Sequence, residues 1–181
     1  MKRIVLITGD LAAGKSTLAD NLSKTLGFTC IKKDCVKEII CDSVGFASRE
    51  ENRRISVATV NSMIHFLEQT LKIGGDIILE ANFRLSEVQK IKEITGKYDG
   101  NLSIIYLFGD EKLLYKRFLE RVPNRHRAHL SQGLDKDYNK YVNYITELRD
   151  EIKDLDSFKL DITELNEIEV LDKVVSFLKR D

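Results

Sequence analysis

The sequence predicts a doubly wound α/β domain, a parallel sheet covered by helices on both faces. Short apolar, β-branched runs alternate with longer stretches of helical period, and the residues best suited to bind ligands fall just after the strands. Each intervening stretch is long enough for a right-handed crossover between parallel strands. With 181 residues, 43% of them hydrophobic and 32% charged, the chain can bury a sizeable core, and residues 1–181 read as one domain without linker or repeat.

The first strand is Arg3–Thr8, a continuous apolar run stopped by Gly9. A helix follows, with Leu18, Leu22 and Leu26 at intervals of four and Gly27 as its stop. Phe28–Ile31 reads as the second strand, and Asp34 as the N-cap of a helix over Cys35–Cys41. Val57, Val60, Ile64, Leu67 and Leu71 place a long helix over Arg49–Ile73, ended by Gly74-Gly75. Asp76–Glu80 is the third strand, Ser86–Lys97 a helix, and Leu102–Phe108 the fourth strand. The helix over Asp110–Arg121 stops before Pro123, the single proline, and the stretch up to Leu130 has no apolar period. Asp137–Leu155 is helical, Phe158–Ile162 a weak fifth strand, and Val170–Leu178 the last helix.

Lysine plus arginine and aspartate plus glutamate each total 29, so no global field draws in nucleic acid or an anionic membrane. Neither partner is expected. Cys30, Cys35 and Cys41 match no metal or redox spacing and read as ordinary small residues of a reduced, cytoplasmic protein. The run Ile4–Ile7 is far too short to span a bilayer.

Gly9-Asp10-Leu11-Ala12-Ala13-Gly14-Lys15-Ser16 fits G-x-x-x-x-G-K-[ST] completely, between a strand and a helix as that motif requires. Such a loop curls so that its N–H groups, with those opening the helix, surround phosphates. Gly9, Ala12, Ala13, Gly14, Lys15, Ser16 and Thr17 are therefore the expected nucleotide-phosphate site. Lys15 would reach the β/γ-phosphates, and the Ser16 hydroxyl would ligate Mg²⁺. Asp10 is expected to be exposed loop.

Three further groups follow the strands. Asp34 lies where an acceptor hydroxyl would meet the γ-phosphate, as general base or positioning group, although a plain capping role is compatible. Ile77–Glu80 ends in an acid that would stand near the metal, with Asn82 and Arg84 suited to grip substrate or simply to form a turn. Residues 112–130 carry Lys112, Lys116, Arg117, Arg121, Arg125 and Arg127 against Glu120 alone. This basic segment would form a lid whose Arg117 and Arg121 share a helix face, or else a solvated basic surface. His126 and His129 could touch phosphate or substrate, and His65 reads as surface.

These pieces, GDLAAGKST at 9–17, Asp34, ILEANF at 78–83 and RFLERVPNRHR at 117–127, resemble the small phosphate-loop kinases of the adenylate-kinase-like superfamily. Within it the chain is most similar to the group that includes chloramphenicol phosphotransferase and zeta toxins. The resemblance covers nearly the whole chain and implies a phosphate-loop NTPase fold: a five-stranded parallel sheet ordered 2-3-1-4-5, with ATP and Mg²⁺ as cofactors. It also implies transfer of the γ-phosphoryl group to a hydroxyl of a small molecule. Asp34 matches the catalytic acid of the group, and Arg121, Arg125 and Arg127 its lid arginines. Lys15, Arg121 and Arg125 would act in catalysis, Arg117 and Arg127 in ATP binding, and Ser16 and Glu80 at the metal. Asp34, Asn82 and Arg84 would meet the acceptor. Glu80 replaces the aspartate of many relatives. A nucleoside monophosphate kinase, kept open by Arg49, Arg53, Arg54 and Arg84, and an ATP-binding regulatory protein are the alternatives.

Overall fold

A computed structural model describes residues 2–129 and 133–180. The expected lid boundary at Leu130 and the two chain ends lie outside the described residues. The order of elements is β1 (Lys2–Gly9), α1 (Lys15–Leu26), β2 (Thr29–Lys32), α2 (Lys33–Val44), α3 (Arg49–Lys72), β3 (Ile77–Glu80) and α4 (Leu85–Lys97). Then come β4 (Gly100–Phe108), α5 (Glu111–Arg121), a 3-10 turn (Val122–Asn124), α6 (Tyr138–Glu151), β5 (Phe158–Asp161) and α7 (Glu167–Leu178). The strands form one five-stranded sheet ordered β2-β3-β1-β4-β5, every neighbouring pair parallel.

Period-two alternation sends each central strand's side chains to opposite faces. Val5, Ile7, Ile78, Ile105 and Leu107 pack on one face with Leu18 and Leu22 of α1, Phe118 of α5 and Val174 of α7. Ile4, Leu6, Ile77, Leu79 and Ile104 pack on the other with Met63 and Leu67 of α3 and Ile91 of α4. Both faces are covered, which is why the strands read as unbroken apolar runs.

The register aligns Ile7 with Glu80, and Glu80 with Lys32. The residues that follow β1, β2 and β3 therefore emerge together at one edge of the sheet. Gly9 makes the first turn possible: its φ is +131°, and a Cβ there would lie 2.0 Å from the Leu107 carbonyl oxygen. Only glycine fits such an approach of β1 to β4.

Several boundaries differ from the sequence reading. β2 is shifted one residue onward from Phe28–Ile31, because Lys32 pairs in register with Glu80. Asp34 is not an N-cap: α2 starts at Lys33, with Lys32 in the capping position and Asp34 in the first turn. There its carboxylate still complements the helix dipole. α7 begins three residues before Val170, fixed by the Asn166 side chain, which accepts from the Ile168 and Glu169 N–H groups. α6 ends at Glu151 rather than Leu155. No helix among the described residues is long and apolar enough to cross a membrane.

Candidate active site

The phosphate loop joins β1 to α1. Gly14 caps the helix at φ 82°, a left-handed conformation, and as glycine it sets no side chain against the first-turn N–H groups of α1. Those donors, with the helix dipole behind them, are what an anion meets. Ala12 also has a positive φ of 64°, unusual for a residue with a Cβ and a measure of how tightly the loop curls.

Lys15 is 8% exposed and donates from Nζ to the Gly9 carbonyl at 3.1 Å and the Asp10 carbonyl at 2.6 Å. Burial pulls its ammonium below the ordinary range, against the opposing pull of the Glu80, Asp34 and Asp10 carboxylates. Glu80, at the end of β3 and 5% exposed, accepts from the Ser16 hydroxyl at 3.3 Å. Burial pushes its carboxyl above the usual range while Lys15 opposes the shift. A hydroxyl, two carboxylates and an ammonium thus converge at the mouth of the loop.

Asp10 overturns an expectation. It is fully buried rather than exposed: Arg149 donates to Oδ2 at 2.6 Å through a terminal nitrogen and at 3.1 Å through Nε, and the Tyr106 hydroxyl donates to Oδ1 at 2.9 Å. Arg149 also donates to the Gly109 carbonyl at 3.0 Å and Glu111 at 3.0 Å. One residue on, the Tyr141 hydroxyl donates to the Leu11 carbonyl at 2.9 Å. The start of the loop is therefore held from β4 and α6, an anchor that the loop motif does not advertise.

Two clefts flank the loop. The first, about 300 Å³, lies between α1, α5 and the β5–α7 turn; Ala13, Thr17, Arg117, Arg121, Ile162 and Leu165 are among its walls. The second, about 540 Å³, opens between the loop, α2, α3 and the segment after α5; Lys15, Ser16, Asp34, Glu80, Asn82 and Arg125 line it. Ala12, Gly14 and Arg121 belong to both, so the two clefts meet over the loop.

The second cleft is bordered by the segment after the 3-10 turn. The buried Lys37 of α2 donates to Asn52 Oδ1 of α3 at 2.7 Å and to the Ala128 carbonyl at 3.0 Å. Asn52 donates to the same carbonyl at 3.0 Å. His126 Nδ1 accepts from the Ala128 N–H at 3.1 Å, so its other nitrogen carries the proton toward Asp42 at 3.0 Å. His129 stands between Glu38, 2.8 Å from Nε2, and Asp34, 3.6 Å from Nδ1. The histidines thus bind this segment to α2.

The remaining residues named from sequence separate. Arg84 lines the second cleft but is paired with Glu151 at 2.7 Å, which also accepts from the Leu85 N–H and so anchors the start of α4. Arg125 stacks over Phe118, 5.6 Å from its centroid. Arg127 lines neither cleft and lies over Phe46, with Asp42 at 3.9 Å. His65 is exposed on α3, and the cysteines are unpaired, with Cys41 buried. Sequence reasoning missed Ile162 and Leu165, although their place after the fifth strand, at the same sheet edge, was signal enough.

Together the fold and loop define a nucleotide-phosphate-binding α/β protein built like the small phosphate-loop kinases. The chain belongs to the AAA domain family, whose pattern matches residues 5–143. A kinase candidate from Chloroflexus aurantiacus has the same fold, with TM-score 0.78 and 21% identity over 97% of each chain. A gluconokinase from Sinorhizobium meliloti gives TM-score 0.65 and 15% identity over 97% of this chain and 91% of that one. A shikimate kinase from Acinetobacter baumannii gives 0.63 and 14% over 99% and 94%. No curated protein is detectably similar in sequence.

Proposed function

We propose that this protein transfers the γ-phosphoryl group of ATP to a hydroxyl of a small molecule. The observation that carries the reading is the cleft that Asp34, in the first turn of α2, lines together with Lys15 and Glu80 beside the phosphate loop. ATP would place its phosphates on the loop and its base and ribose in the cleft beside Thr17, Ile162 and Leu165. The acceptor would enter the other cleft.

In the transfer, the acceptor oxygen forms a bond to the γ-phosphorus as the bond from that phosphorus to the β–γ bridging oxygen breaks, and ADP departs. The hydroxyl proton passes to the Asp34 carboxylate. Lys15 and Arg121 meet the charge on the transferring group and the leaving oxygen. Positioning supplies much of the rate.

The donor set suits Mg²⁺. Ser16 Oγ and the Glu80 carboxylate are hard oxygen ligands 3.3 Å apart beside the loop. No group of three His, Cys, Asp or Glu among the described residues forms an all-protein metal cage, in keeping with an ion that takes most of its ligands from phosphates and water. When bound there, Mg²⁺ would neutralise charge on the β- and γ-phosphate oxygens.

The test is ADP release from ATP across a panel of hydroxyl compounds, with wild type and Asp34→Asn. Acceptor-stimulated release that falls about 10²- to 10⁴-fold in Asp34→Asn supports the reading. Near-normal turnover in that variant points instead to a phosphate acceptor, which needs no base. ATP binding without stimulation by any acceptor points to a regulatory module.

A further inference from the structure

We propose that His129 serves the reaction through Asp34: it steadies the Asp34 carboxylate and takes over the proton that Asp34 receives from the acceptor hydroxyl. The inference rests on the phosphotransfer reading above and adds a positioning residue to it.

His129 is held more firmly than the carboxylate it faces. Its side chain is 7% exposed, against 57% for Asp34. Nε2 lies 2.8 Å from Glu38 Oε1, and Nδ1 lies 3.6 Å from Asp34 Oδ1. The His129 backbone N–H donates to the His126 carbonyl at 3.0 Å, and the carbonyl of Ala128 just before it accepts from both Lys37 and Asn52. Asp34 and Glu38 stand one turn apart on α2, so the ring is set between two carboxylates of one helix face.

The two contacts differ in kind. The Glu38 carboxylate accepts from Nε2, which leaves the Nδ1 lone pair turned toward Asp34. A proton on Nδ1 would draw an ionised carboxylate in to about 2.7–2.9 Å. The observed 3.6 Å is longer than a hydrogen bond and fits a lone pair facing a carboxylate. This contact becomes a hydrogen bond only when Asp34 holds a proton, its state just after the acceptor oxygen has bonded to phosphorus. The acceptor O–H bond breaks, its proton goes to Asp34 and on to Nδ1, and Glu38 answers the charge of the imidazolium. Asp34 and His129 line the cleft and Glu38 does not, so the proton is stored on the side away from the γ-phosphate. It returns to water through the exposed Asp34 once product has left. The other titratable groups beside this ring are committed elsewhere: Lys37 to Asn52 and Ala128, and His126, its ring centroid 6.3 Å away, to Asp42.

Two measurements on the full chain test this. The first is the nitrogen NMR spectrum of the imidazole rings, which three histidines keep simple. The His129 Nδ1 signal should move in Asp34→Asn while those of His65 and His126 stay; an unmoved signal overturns the inference whatever the kinetics. The second is ADP release from Mg-ATP with gluconate, shikimate, glucose and uridine as acceptors. His129→Gln keeps an amide for Glu38 but has no nitrogen to take a proton. It should lower kcat about 10- to 100-fold with KM for ATP within about twofold. Added imidazole should restore part of kcat in His129→Ala. His126→Gln removes a similar tie to α2 outside the cleft and should leave kcat within about twofold. Unchanged kcat in His129→Gln, or an equal loss in His126→Gln, overturns the inference and leaves the kinase reading intact. No acceptor-stimulated release by wild type removes the kinase reading and the proton transfer with it, even where the ring signal moves.

Discussion

The two clefts beside the phosphate loop are built from different materials. On the proposed donor side the phosphate-binding part is largely backbone: a glycine at φ +131°, a left-handed helix cap and the first turn of α1. The acceptor side is made of side chains from α2, α3 and the segment after α5, joined by Lys37, Asn52, His126 and His129. Backbone sites tolerate little change in the few residues that shape them, and side-chain sites can be rebuilt one residue at a time. In the proposed assignment of the clefts, the donor side is the constrained one and the acceptor side the adaptable one.

The contrast breaks most visibly at Lys15, the buried side chain inside the phosphate loop itself. Lys15→Ala should lower acceptor-stimulated turnover about 10³-fold, read as ADP release. An equally large loss from any single acceptor-side substitution other than Asp34 would erase the distinction.

The next effect is on stability. Arg149→Met leaves the fully buried Asp10 carboxylate with the Tyr106 hydroxyl as its sole side-chain partner among the described residues and should cost about 3 kcal/mol in urea unfolding, because an uncompensated charge remains inside. KM for ATP should rise as the loop loosens. Arg117→Gln sharpens the comparison from the other side: Arg117 lines only the donor cleft, so KM for ATP should rise about 10-fold with KM for the acceptor unchanged.

The smallest effect concerns Lys37→Met, which removes the bonds to Asn52 and Ala128 and should cost about 1–2 kcal/mol. Burial holds the Lys37 ammonium below its ordinary 10.5, so the folded protein gives up this proton at lower pH than the unfolded chain does. Wild type should therefore gain stability relative to Lys37→Met as pH rises toward 10.5, a sign that paired urea titrations at neutral and alkaline pH would reveal.

The same division explains what could be read from the residues alone. The strands, the loop and the acid at Glu80 were legible because each is written in consecutive residues: an apolar run, a glycine-rich motif, a strand ending in a carboxylate; the sheet order came from the family resemblance instead. Asp10 was misjudged because its environment is set by Arg149, 139 residues away, and nothing local marks a loop aspartate as buried. Lys37, Asn52 and Ala128 were invisible for a similar reason. They meet across 91 and 76 residues, and neither helical period nor charge count favours them over their neighbours. Arg127 illustrates the converse: it sits within the basic stretch that carried the lid expectation, yet stacks on Phe46 and lines neither cleft. A charge cluster specifies a region, and packing decides which members face inward.

The tie from Arg149 to Asp10 has a consequence for how the molecule is made. The loop is written in the first sixteen residues, but its anchor is near the end of α6 and beyond the 5–143 stretch that the family pattern covers. A ribosome finishes the loop early and supplies its support late. Until α6 emerges and docks, the nascent chain carries the complete motif with a buried aspartate's partner missing. The grip on the loop therefore waits for α6, and chains stopped before residue 149 should carry the loop without it.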